Sequence, residues 1–134
     1  MSQNDKTIFK HNDFEAEFDF TDADDMELYE KSVDQLNEEE KRLPKTGNVS
    51  SIIRSQCAWL RRFFDRIFGT DSGKKICGEK DNFGACMEAY RAFLVFVSEQ
   101  KQGYISNANE IREKYSANRA QRRHPAATQN SKKN

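Results

Sequence analysis

Three cysteines (Cys57, Cys77, Cys86), two histidines (His11, His124) and two carboxylate runs are the residues of this 134-residue chain whose types could do chemistry. A nucleophilic thiol needs a base beside it, and Cys57 falls on an apolar helical stripe with no histidine nearby in sequence. It reads as a buried, inert thiol. Cys77 and Cys86 have no CxxC spacing and no His or Asp partners in pattern, so no metal site is expected. An odd number of cysteines leaves one unpaired in any disulfide scheme, which points to a reducing compartment. Asp22, Asp24 and Asp25 lack the D-x-[DN]-x-[DN]-G pattern of a calcium loop and read as the acidic first turn of a helix. Glu38, Glu39 and Glu40 have no convergent partner and read as a solvated helix face. With no glycine-rich phosphate loop and no Ser/His/Asp set, the expectation is a non-enzyme with no catalytic residues, no cofactor and no metal.

The arginines are more suggestive. Arg54, Arg61, Arg62 and Arg66 fall near one side of a single helix, and Arg119, Arg122 and Arg123 lie in a basic C-terminal stretch. Such a patch could meet nucleic acid or an acidic partner. The formal charge of zero, however, is a cancellation: residues 1–42 carry 14 acidic and 5 basic side chains, and the remainder carries 8 and 17. That division favours pairing of the arginine face with the chain's own acidic helix, so any binding of nucleic acid by the folded part is expected to be weak.

The elements that must position these groups are legible from periodicity. Phe14, Ala16, Phe18 and Phe20 alternate with acidic residues, and His11-Asn12-Asp13 separates them from Ile8 and Phe9, which predicts a hairpin. An acidic helix follows from Thr21 or the next aspartates to about Arg42, with Met26, Tyr29, Val33 and Leu36 as its stripe. The second helix opens at Ser50 or Ser51 and closes at Gly69, with Ile53, Cys57, Leu60, Phe64 and Ile67 as its stripe, widened by Ile52, Trp59, Phe63 and Phe68. One helical turn is expected over 74–77. The third long helix begins near Asp81 or Asn82 and carries Phe83, Met87, Tyr90, Phe93, Leu94 and Val97 on one side, broadened by Cys86, Val95 and Phe96. Its period continues through Tyr104, Ile105, Ala108 and Ile111 to Tyr115, with Gly103 as a place to kink.

Leu, Ile, Val and Phe make up 26 residues, none of them in 1–6 or 116–134, so a modest core is possible between those ends. No apolar run is long enough to span a membrane, and the MSQNDK start lacks the apolar region of a signal peptide. The expected fold class is α+β, mostly α: an N-terminal β-hairpin packed on a small bundle of three long helices. Residues 7–115 form the single domain, 1–6 are disordered, and 116–134 form a disordered basic tail. Because the second helix is apolar over more than half its circumference, Trp59, Phe63, Phe64, Ile67 and Phe68, with Phe93 and Phe96, are the candidate surface for a partner or a second copy.

The segment Lys114-Tyr115-Ser116-Ala117-Asn118-Arg119-Ala120-Gln121-Arg122-Arg123 resembles the C-terminal KYSPNRAQRR signature of small tail-region proteins of phages and prophages of Gram-positive bacteria. The aromatic hairpin, the Tyr29-Glu30-Lys31 helix and the stretch from Cys57 through Phe63-Phe64-Asp65 to Phe68-Gly69 are similar in order too. The chain departs from the pattern at Ala117, where proline is usual, and in its longer tail. The resemblance implies a non-catalytic tail assembly chaperone of the host bacterial cytoplasm, a homo-oligomer that solubilises the tape measure protein and helps recruit tail tube protein. The competing expectations are a nucleic-acid-associated or regulatory phage protein acting through its basic tail, and a minor structural protein of the virion.

Overall fold

The computed structural model describes residues 6–123, with side chains described through residue 116. Two strands, β1 (Ile8–His11) and β2 (Phe14–Glu17), pair antiparallel with Phe9 opposite Ala16 and His11 opposite Phe14. Asn12 and Asp13 take φ of 52° and 66°, the left-handed pair that a two-residue hairpin loop requires and that these residue types tolerate. The Phe18 amide extends the ladder to the Thr7 carbonyl at 2.8 Å. The alternation read from the sequence therefore places Phe9 and Phe18 inside, each 2% exposed.

Helix α1 (Ala23–Glu40) begins where Asp22 accepts the Asp25 amide at 2.9 Å, an N-cap that replaces the first-turn donors' lost partners. It stops slightly before the expected Arg42, and the amides of Arg42 and Leu43 turn back to the Glu39 and Glu40 carbonyls. Helix α2 (Val49–Phe68) ends at Gly69, whose φ of 109° is open to glycine and strained for other residues. Helix α3 (Ser72–Cys77) starts two residues before the turn expected over 74–77. It lies directly on α2: the Gly73 amide donates to Asp65 Oδ1 at 2.7 Å, and a Cβ on Gly73 would fall on the Arg61 carbonyl and 2.7 Å from its Cα. Asn12 reaches from the hairpin turn to the Ile76 carbonyl at 3.0 Å, which satisfies one of the acceptors left open at the end of α3.

Helix α4 (Phe83–Arg123) passes Gly103 without a break in its bounds. It also includes residues 116–123, which the sequence reading assigned to a disordered tail. Composition there excluded a core, but Ala, Arg and Gln are good helix formers and need no core to extend a helix already begun. The rest of that expected tail, 124–134, lies outside the described residues, as do residues 1–5 of the expected disordered N-terminus. The chain divides into two compact units, Met1–Gln100 and Lys101–Asn134.

The first unit holds the core. Phe93 of α4 packs edge-on against Phe9 and Phe18 of the hairpin segment at 5.2 and 5.6 Å between ring centroids. It meets Phe63, Phe64 and Phe68 of α2 at 5.6–6.0 Å in the same edge-to-face manner, and Tyr29 of α1 at 6.1 Å. This is the arrangement in which ring quadrupoles attract. Gln100 closes the unit, its amide donating to the Phe18 carbonyl and accepting from the Phe20 amide, both at 2.7 Å. Among the described residues no helix is long and apolar enough to cross a membrane.

Because Phe93 bridges the hairpin and the long helices, Phe93→Ala should cost about 3–5 kcal/mol, the upper end for a large-to-small core change. Chemical denaturation followed by circular dichroism checks this, and a loss below about 1 kcal/mol contradicts it.

Candidate functional site

The aromatic cluster proposed as a partner surface is instead the interior of the first unit. Phe63, Phe64 and Phe93 have no exposed surface and Ile67 has 8%. The sequence showed α2 to be too apolar for one neighbour, and the missing neighbour proves to be the chain's own hairpin: Phe9 stacks within 6.5 Å of Phe64 and 6.0 Å of Phe68. Trp59, Phe68 and Phe96 are only half-buried, yet they too are packed against this core. The Trp59 indole N–H donates to the Leu36 carbonyl at 2.9 Å, which ties α2 to α1.

The arginine face divides in two. Arg62 and Arg66 meet α1 as the charge division implied, with Arg62 Nε 3.2 Å from Glu39 Oε1 and Arg66 Nη1 3.4 Å from Glu39 Oε2. Burial would raise the Glu39 carboxyl, but the Gln35 side chain and the two guanidinium groups outweigh it and hold the group below the usual carboxylate range. Arg61 turns the other way. It donates to the Gly78 carbonyl at 2.9 Å, to the Lys80 carbonyl and to Asp81 Oδ1 at 2.7 Å, so it fastens the segment between α3 and α4. Arg54 approaches the same Asp81 at 3.7 Å. Gly78, with φ of 92°, turns the chain so that these acceptors converge on Arg61. Nothing local to Arg61 or Asp81 in the sequence announces that pairing. The expected basic patch of Arg61, Arg62 and Arg66 is thus engaged within the fold. Arg119, Arg122 and Arg123 fall within the bounds of α4, but their side chains lie outside the described residues.

Two surface cavities flank the Glu39 ion pairs. One, of about 380 Å³, is lined by Glu39 and Arg62 with Leu43, Pro44, Ser55 and Ala58. The other, of about 330 Å³, is lined by Leu28, Lys31, Ser32, Gln35 and Arg66.

The three thiols, separate in sequence, converge in the fold. All are buried, and Cys86 of α4 is close enough to Cys77 of α3 and Cys57 of α2 to perturb both thiols. Burial, then the Cys86 thiol, pushes Cys57 up to about 12. Cys86 is raised by Cys77 and by burial. Cys77 alone is lowered, because the Cys86 thiol and the nearby Arg61 charge outweigh its burial. Cys57 is therefore the buried thiol expected of it, whereas its convergence with Cys77 and Cys86 could be seen only once α3 was docked on α2. Among the described residues no group of three His, Cys, Asp or Glu side chains is placed to hold a metal ion.

The second unit, described by itself, offers the apolar surface that the aromatic cluster does not. On α4, Ile111 is 68% exposed and Ile105 39%, and Tyr104 and Tyr115 are also exposed. Tyr104, Ala108, Ile111 and Tyr115 follow the alternating four- and three-residue spacing of a helix–helix seam. Lys114 beside it pairs with Glu110 at 3.3 Å. The continuing period was visible in the sequence; what the sequence did not reveal is that these positions stay outside the core.

Residues 12–126 match the model of a family described as a family of unknown function, DUF6673. Nothing among curated proteins or solved structures matches the chain.

Two outcomes follow from the electrostatics. Glu39, lowered from its ordinary 4.5, contributes its stability in full above that pH and loses it as the pH falls through the lowered value. Glu39→Gln should cost about 1–2 kcal/mol at neutral pH and soften the acid loss of stability; urea curves that stay parallel across the acid range would refute this. On limited iodoacetamide treatment read by mass spectrometry, Cys77 should be alkylated before Cys57 or Cys86, since thiolate is the reacting form. Equal labelling of all three contradicts the assigned order.

Proposed function

The chain belongs to DUF6673, a family of unknown function, and we propose that it is a non-catalytic tail assembly chaperone of a phage or prophage, acting in the host bacterial cytoplasm. Its client is the tape measure protein, a partner with long apolar helices, and tail tube protein joins the complex later. The observation that carries this reading is the exposed apolar seam of α4 beyond Gln100, centred on Ile111 with Ile105 on its flank. An exposed row of this kind is costly in water and suits a helical partner. The C-terminal resemblance to phage tail-region proteins, quoted above from Lys114 to Arg123, supports the same client. The proposed contact surface is this seam of α4, because the α2 aromatics are already covered by the hairpin. The acidic outer face of α1 keeps the complex soluble, and the seam also allows copies of the chain to associate before the client arrives.

Co-expression with the tape measure fragment tests this. The wild-type chain should co-purify with that fragment and raise its soluble yield. Ile105→Asp with Ile111→Asp should lower the recovered complex at least about tenfold, since each Ile buried on binding is worth about 1.5–3 kcal/mol. Val49→Asp, at a 68% exposed position on α2, is the control and should leave capture intact. If the wild type neither co-purifies nor improves solubility, the chaperone reading fails.

A further inference from the structure

Arg66 uses only part of its guanidinium group. Nη1 holds Glu39 at 3.4 Å, while Nε and Nη2 are buried with no hydrogen-bond partner among the described residues. Those two nitrogens form one side of the guanidinium fork, with parallel N–H bonds spaced to match the two oxygens of a carboxylate. Ser32 on α1, 1% exposed, likewise has a hydroxyl without a partner. Both residues line the same cavity of about 330 Å³, which is walled by Leu28 and the aliphatic stem of Lys31. Buried polar groups of native proteins are nearly always paired, so three such atoms on two residues that line one cavity mark a place able to take a polar guest.

We infer that this cavity between α1 and α2 is a binding site for a carboxylate, held side-on by Nε–H and Nη2–H of Arg66 with a third hydrogen bond from the Ser32 hydroxyl. Charge selects a monoanion over a phosphate dianion. The two cations at the cavity already have acidic neighbours, Arg66 with Glu39 and Lys31 with Glu27 at 3.3 Å, which leaves little surplus positive charge. The remaining lining groups are the Gln35 amide, engaged with Glu39, and apolar Leu28, which is 40% exposed. Because these atoms have almost no accessible surface, a guest must displace neighbouring side chains to reach them, a motion open to the exposed lining residues Leu28 and Lys31. The site belongs to the first unit and does not depend on the chaperone reading.

The test follows the Arg66 Nε–H resonance of the full-length chain in nitrogen-15 spectra, assigned by its loss in Arg66→Lys. The probes are sodium acetate, a blocked dipeptide carrying one glutamate, sodium phosphate and sodium chloride at matched ionic strength. Acetate or the dipeptide should shift the resonance saturably, in the millimolar range expected of one bidentate pair on a partly open site. A stronger response to the dipeptide means that the guest is a protein side chain, and a stronger response to acetate means a small free acid. Ser32→Ala should weaken the interaction several-fold, and Arg66→Lys, which keeps the charge but not the fork, should abolish the stabilisation by acetate seen in thermal melts. If Arg66→Lys does not fold, the wild-type titration and Ser32→Ala decide the matter. An unsaturable shift, an equal response to chloride, a stronger response to phosphate, or no shift overturns the proposal.

Discussion

The ring of Phe93 is the contact on which the first unit depends. It is the place where a hairpin from the start of the chain, two helices from its middle and a third from its second half touch one another. A two-stranded hairpin is marginal in water, and a helix as apolar as α2 is insoluble without cover. Each supplies what the other lacks. The aromatic residues of the hairpin segment are buried because α2 and α4 offer a groove of rings, and that groove is dry because the hairpin fills it.

Polar tethers fix this packing in one arrangement. Trp59 to the Leu36 carbonyl, Asn12 to the Ile76 carbonyl and Arg61 to the Gly78 carbonyl each pair a side chain with a main-chain acceptor far away in sequence. Hydrophobic burial is non-directional and would allow α1 or α3 to slide; a half-buried hydrogen bond is lost if either does. The acidic α1 and the arginines of α2 meet in the same way. Glu39 receives Arg62 and Arg66, so the neutrality of the whole molecule is partly a property of one contact.

Most of the architecture could be read from residue spacing. The alternation from Phe14 to Phe20, the Asn12-Asp13 turn and the stripes of three helices all correspond to observed elements, because periodicity records which side of an element is wet. What the spacing could not convey is which element covers which. Phe63, Phe64 and Phe93 looked like surplus apolar surface until the hairpin was placed on them, and Arg61 looked like one more member of a basic face until the Gly78 turn brought carbonyls to it. The convergence of Cys57, Cys77 and Cys86 and the unpaired edge of Arg66 belong to the same class. They arise from tertiary docking, for which a lone cysteine or arginine leaves no periodic trace.

Gln100 holds the main chain at Phe18 and Phe20 across 82 and 80 residues of sequence. On the ribosome, that spacing becomes time. At about 5–20 residues per second, several seconds separate the emergence of the hairpin from that of the glutamine that fastens it. In the later part of that interval the rings of α2 are made while Phe93 and Gln100 are not. Until the last long helix arrives, the nascent chain exposes aromatic surface that the finished fold buries, and partly folded chains with such surface are prone to aggregate.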